Sequence, residues 1–124
     1  DEVVKIHNAC IDVQKKTASL LLPNKVPSEI YNEIMKNLPQ ELSQHFMGYG
    51  ESVKFLGHGV GLQIDELPVI ANGFNAPLKE NMVIALEPKC GISGVGTVGV
   101  EETYVVKSSG AVCLTGGARE IIVV

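Results

Sequence analysis

The stretch Met82-Val83-Ile84-Ala85-Leu86-Glu87-Pro88-Lys89-Cys90-Gly91-Ile92-Ser93-Gly94-Val95-Gly96-Thr97-Val98-Gly99-Val100-Glu101-Glu102-Thr103-Tyr104-Val105-Val106 decides how this chain folds. Two Val/Ile-rich runs flank the glycine-rich centre Gly91-Ile92-Ser93-Gly94-Val95-Gly96, the composition of two strands joined by a turn. A hairpin that turns about Gly94 sets Glu87 directly across from Glu101. Side chains alternate along a strand, so Glu87 shares its face with Val83 and Ala85, and Glu101 shares its face with Thr103 and Val105. Glu102 goes with Val100 and Tyr104 on the other side. A slip of one residue would turn Glu102 inward instead, and the residues alone leave that choice open.

Each run therefore carries a carboxylate into apolar company. An isolated buried carboxylate is costly and must be paired, protonated or metal-bound. Two carboxylates directly opposite one another repel, and a cation held between them reverses the sign of that interaction. The plainer alternative is a pair of solvated surface carboxylates, with Glu87 reaching water from a strand end.

Upstream, Gly57-His58-Gly59-Val60-Gly61 places a histidine between glycines in an otherwise apolar, strand-like stretch. Glycine on both sides permits close approach of another backbone. Taken alone, such a histidine is more often a hydrogen-bonded structural residue than a ligand. The other two, His7 and His45, sit among polar neighbours in helical stretches and read as solvated. One histidine with two glutamates is a nitrogen and oxygen donor set that suits manganese, zinc, cobalt or iron, not copper(I) or a cluster. Three protein ligands with open positions is the pattern of a catalytic site.

Outward from these motifs, Val3, Ile6, Cys10, Val13 and Thr17 recur at the period of one helix face and predict a helix over residues 2 to 20, with Pro23 as its stop. Ser28 is the expected N-cap of a second helix, striped by Ile30, Ile34 and Leu38 and closed by Pro39. A short third helical turn is expected over 40 to 47. Strands are expected over 60 to 66, 82 to 88, 98 to 107, 111 to 115 and 120 to 124. Helices first and strands after predict an α+β layer, two helices covering one face of a curved antiparallel sheet.

The 124 residues, 45% of them hydrophobic, suffice for one core. With a net charge of -4 and no basic stripe, the composition speaks against nucleic acid and an anionic membrane surface as partners. No apolar run approaches the roughly 20 residues that span a bilayer. Cys10, Cys90 and Cys113 are far apart and odd in number, which argues against a disulfide framework or zinc knuckle and for a reducing, cytoplasmic setting. Asp1-Glu2-Val3-Val4 reads as the first turn of a helix already under way, so a truncated chain is the expectation.

Gly57-His58-Gly59-Val60-Gly61-Leu62, Glu66-Leu67-Pro68, Leu78-Lys79-Glu80-Asn81-Met82 running into Ala85-Leu86-Glu87-Pro88, and Val100-Glu101-Glu102-Thr103 together resemble the pita-bread metallopeptidases. That family includes Xaa-Pro dipeptidases, aminopeptidase P and methionine aminopeptidases. The resemblance covers nearly the whole of residues 1–124 and implies the C-terminal half of the catalytic domain. It implies His58, Glu87 and Glu101 as three of five ligands of a two-metal centre (Mn, Co or Zn), with Glu87 as proton acceptor and Glu101 bridging. The family's other two ligands are aspartates upstream of the first helix, and neither Asp1 nor Asp12 corresponds to them. Asp65 stands where many members carry a substrate-contacting histidine, and an aspartate cannot act as an imidazole-like proton donor at neutral pH without a large pKa shift. The implied activity is release of an N-terminal residue from short peptides, with this chain inactive on its own and self-associating through the surface its upstream half would cover. A creatinase-like carbon–nitrogen hydrolase and a non-catalytic binding module are the competing readings, the first disfavoured by the paired glutamates and the second kept alive by Asp65.

Overall fold

The computed structural model describes residues 1–49, 54–117 and 119–124. Helix α1, Glu2–Leu20, begins where the Val3 N–H donates to the Asp1 carboxylate at 2.9 Å, an N-cap of the usual kind. Its buried face is Ile6, Cys10, Val13 and Thr17, as the spacing predicts, widened by Ile11 and Gln14. Helix α2, Pro27–Lys36, starts one residue ahead of the expected cap. Val26 is the N-cap, Pro27 occupies the first turn where its missing N–H is no loss, and Ser28 is buried and bonded to Asn75 Oδ1 at 2.6 Å. The turn expected over 40 to 47 shrinks to a 3₁₀ turn, Gln40–Leu42, because Phe46 then pairs with Cys90 and Met47 N–H donates to the Lys89 carbonyl. Sheet pairing takes over those backbone groups.

Seven strands follow among the described residues: β1 Phe55–Gly59, β2 Glu66–Ala71, β3 Val83–Leu86, β4 Lys89–Ile92, β5 Gly96–Gly99, β6 Glu102–Val105 and β7 Val112–Cys113. Five form an antiparallel sheet in the order β2-β1-β3-β6-β7, and β4 and β5 form a two-stranded arm. The arm and the main sheet belong to one long hairpin. Leu86 pairs with Glu102, Lys89 with Gly99 and Ile92 with Gly96, a single register centred on Gly94. Between the two ladders the Val100 N–H still donates to the Pro88 carbonyl at 3.1 Å, so Glu87 stands across from Glu101.

Two expected strands are not there. Residues 60 to 65 turn back between β1 and β2, closed by Gly61 N–H on the Gln63 carbonyl and by Gln63 N–H on the Glu66 carboxylate. The histidine motif thus ends a strand, where it was expected to precede one. The tail 120 to 124 is not a strand: among the described residues none pairs with it, and Ile122, Val123 and Val124 are exposed. The expected strand over 98 to 107 divides into β5 and β6 where the arm departs.

The core lies between the helices and the sheet, with Cys10, Val13, Ile30 and Ile34 from one layer and Leu56, Ile70, Ile84 and Leu86 from the other. Each fully buried aliphatic side chain contributes about 1.5–3 kcal/mol. The layer is α+β, as expected. Cys10, Cys90 and Cys113 are free, and burial, with Cys90 nearby, pushes the Cys10 thiol up to about 12, so it remains a thiol near neutral pH. Among the described residues no helix is long and apolar enough to cross a membrane.

Candidate metal centre

His58 lies in β1 with β2 on one side and β3 on the other. A Cβ at Gly57 would stand 2.2 Å from the Ala85 carbonyl oxygen, and one at Gly59 would stand 2.4 Å from that of Leu67. Glycine at both positions lets the neighbouring backbones close around the histidine.

His58 pairs with Ala85, and Ala85 pairs with Thr103, so these three residues form a row across the sheet. Ile84, Leu86 and Tyr104 point the other way, into the buried core under the helices. Glu87 and Glu101 each lie two residues along from that row, and the period of two places them on the face of His58. The register slip that would have faced Glu102 inward does not occur: the Glu102 carboxylate bonds the Thr115 hydroxyl.

His58 is 8% exposed and the Glu87 side chain 17% exposed. His58 Nδ1 lies 3.0 Å from the Gly59 carbonyl oxygen, which can only accept, so this bond assigns the ring proton to Nδ1. Nε2 then presents a lone pair, and it faces Glu87 Oε1 at 3.4 Å. Two acceptors at that distance attract only with a proton or a metal ion between them. Asp65 lies beside the same ring, its Oδ1 3.6 Å from Nδ1, with most of its side chain in solvent.

Glu101 is exposed and borders two clefts. One, of about 360 Å³, is shared with His58, Asp65, Ala85 and Thr103; the other, of about 250 Å³, is shared with Glu87 and Lys89. A further cavity of about 360 Å³, walled by Pro27, Leu67, Phe74, Pro77 and Met82, has no imidazole or carboxylate among its described lining residues. Among the described residues no three His, Cys, Asp or Glu side chains converge tightly enough to enclose an ion. Lys89 Nζ holds Glu87 Oε2 at 2.8 Å, which leaves Oε1 to face the histidine. His58 Nε2 and Glu87 Oε1 therefore fit a borderline divalent ion as part of a donor set, with Glu101 on the same face at the cleft edge.

Two residues of this region were missed in the sequence. Lys89 could have been found, since residues two apart on a strand share a face and Glu87-Pro88-Lys89 puts opposite charges there. Gln14 is fully buried in α1, its Nε2 donating to the Leu86 carbonyl at 2.9 Å and its Oε1 accepting from the Tyr104 hydroxyl at 3.5 Å. It anchors the backbone immediately before Glu87. Burial, with Cys113 and Glu102 nearby, pushes the Tyr104 phenol up to about 12, so it stays a donor.

The pattern of metallopeptidase family M24 matches residues 1–108. The chain is 33% identical over 119 residues to the Xaa-Pro dipeptidase of Pyrococcus furiosus and 34% identical over 119 residues to that of Pyrococcus horikoshii, covering 95% of this chain and 32% of the relative in each case. It thus spans about a third of the length of these relatives. Among solved structures, an X-Pro aminopeptidase from Thermotoga maritima superposes with a TM-score of 0.83 at 28% identity, over 100% of this chain and 34% of that one. Prolidase from Pyrococcus furiosus superposes with a TM-score of 0.72 at 34% identity, over 93% of this chain and 33% of its own. Helices, hairpin register and the matched residues agree on one pita-bread layer, and the chain belongs to metallopeptidase family M24.

Proposed function

We propose that this chain is the C-terminal portion of a metal-dependent peptidase of the Xaa-Pro dipeptidase or aminopeptidase P type, releasing an N-terminal residue from short peptides. The observation that carries this reading is the approach of two acceptors, His58 Nε2 and Glu87 Oε1, at 3.4 Å on the face that also bears Glu101. Divalent ions such as manganese, cobalt or zinc, held there, supply Lewis-acid activation of water and of the scissile carbonyl. His58 ligates through Nε2 while its Nδ1–H is fixed by the Gly59 carbonyl, the arrangement that orients a ligating imidazole. Glu87 would contribute a carboxylate that ligates and accepts a proton, and Glu101 would add a second carboxylate from across the hairpin, leaving the set open. Asp65, 3.6 Å from His58 Nδ1, lines the cleft where the peptide would lie.

The relatives are three times as long as this chain, which supports placing the remaining ligands outside it. The exposure of Leu62, Ile64 and Leu67 supports self-association. Three free cysteines support a reducing, cytoplasmic setting.

The test compares residues 1–124 with the full-length protein in hydrolysis of Xaa-Pro dipeptides, with manganese or cobalt added. The full-length protein is expected to hydrolyse them and the chain alone is not. Robust hydrolysis by residues 1–124 contradicts the partial-site reading, and none from either favours a binding module. Light scattering on the same samples should show the chain alone above its 13.2 kDa monomer mass.

A further inference from the structure

Glu87 has two oxygens, and they have different neighbours. Oε1 faces His58 Nε2, and Oε2 is held by Lys89 Nζ at 2.8 Å. Resting on the metal-site reading above, we propose that Lys89 is a built-in counter-ion, which occupies Glu87 when no metal is bound and sets the affinity of this site for divalent cations.

The backbone fixes this contact. Lys89 opens β4, and its carbonyl accepts from the Met47 N–H at 2.7 Å. Its strand partner is Gly99, where a Cβ would stand 2.6 Å from Lys89 Cβ. Absence of a side chain there leaves room for the lysine stem. The Lys89 side chain is 32% exposed and Glu87 17%, so water screens the pair only in part.

An ammonium on Oε2 already neutralises the Glu87 carboxylate and opposes a divalent cation that approaches the other oxygen. Each carboxylate oxygen has a second lone pair, so the ammonium does not block the site sterically, but while it stays near it repels an incoming divalent charge. At separations of several ångströms and the effective dielectric of a partly exposed site, that repulsion corresponds to about tenfold or more in affinity. The four-carbon stem lets the head group swing into the 250 Å³ cleft toward Thr97.

Manganese(II) titration of the full chain, followed by loss of the free-ion electron paramagnetic resonance signal, tests this. Lys89→Met is expected to bind manganese about tenfold more tightly than the unaltered chain or better, and Lys89→Arg, which keeps the charge, is expected to stay weak. No tightening in Lys89→Met, no binding by it, or an equal gain in Lys89→Arg overturns the proposal. Glu87→Gln is expected to lose binding in either background. Undiminished binding by Glu87→Gln would instead overturn the metal-site reading itself.

Discussion

Gly57→Ala is expected to destabilise the chain by about 3 kcal/mol or more, the upper end for overpacked positions. The added Cβ would stand 2.2 Å from the Ala85 carbonyl oxygen and 2.8 Å from Leu86 Cδ2. A flexible side-chain tip could move aside; the Ala85 carbonyl is part of the ladder. Relief requires β1 and β3 to separate at Gly57–Leu86 and His58–Ala85, the pairs that hold His58 beside Glu87. Gly94→Ala is the control. Nothing lies within 4 Å of a Cβ there, and the cost is limited to the strain of φ +75°, about 1 kcal/mol. Urea denaturation measures both, and a loss for Gly57→Ala no larger than the control would show that the strands do not close on His58 as described.

Glu87→Gln is expected to lower the metal-dependent kcat/KM of the full-length protein by at least about 10³-fold, because it removes charge from a ligand while keeping its shape. Folding stability should change by no more than about 1 kcal/mol, since the Lys89 partner left behind is partly exposed. Loss of activity without loss of stability separates a chemical role from a structural one. Peptide turnover and urea denaturation on one preparation give both numbers. Retention of full kcat/KM would remove Glu87 from the proposed chemistry.

The hairpin was legible because its glycines mark the turn and its carboxylates interrupt two apolar runs; Glu87 across from Glu101 follows from placing the midpoint at Gly94. The helices were legible from the spacing of Ile6, Cys10, Val13 and Thr17. Local pattern failed where tertiary pairing decides. Gly61 to Asp65 look like strand but turn back through the Gly61–Gln63 hydrogen bond, and the tail from Glu120 to Val124, though mostly apolar, pairs with no strand among the described residues. Ser28 looks like a helix cap, but Asn75, far along the chain, takes its hydroxyl. Gln14 was illegible for a similar reason: only the fold brings the Leu86 carbonyl and the Tyr104 hydroxyl to the same point of α1.

The central claim is that His58 and Glu87 bind one cation from one face of the sheet, with Glu101 beside them. Anomalous scattering from crystals of the full-length protein soaked in manganese is the test. A peak is expected within coordination distance of His58 Nε2 and the Glu87 carboxylate, with Lys89 Nζ displaced from Oε2. A peak elsewhere, with Glu87 still paired to Lys89 and His58 Nε2 unligated, would contradict it.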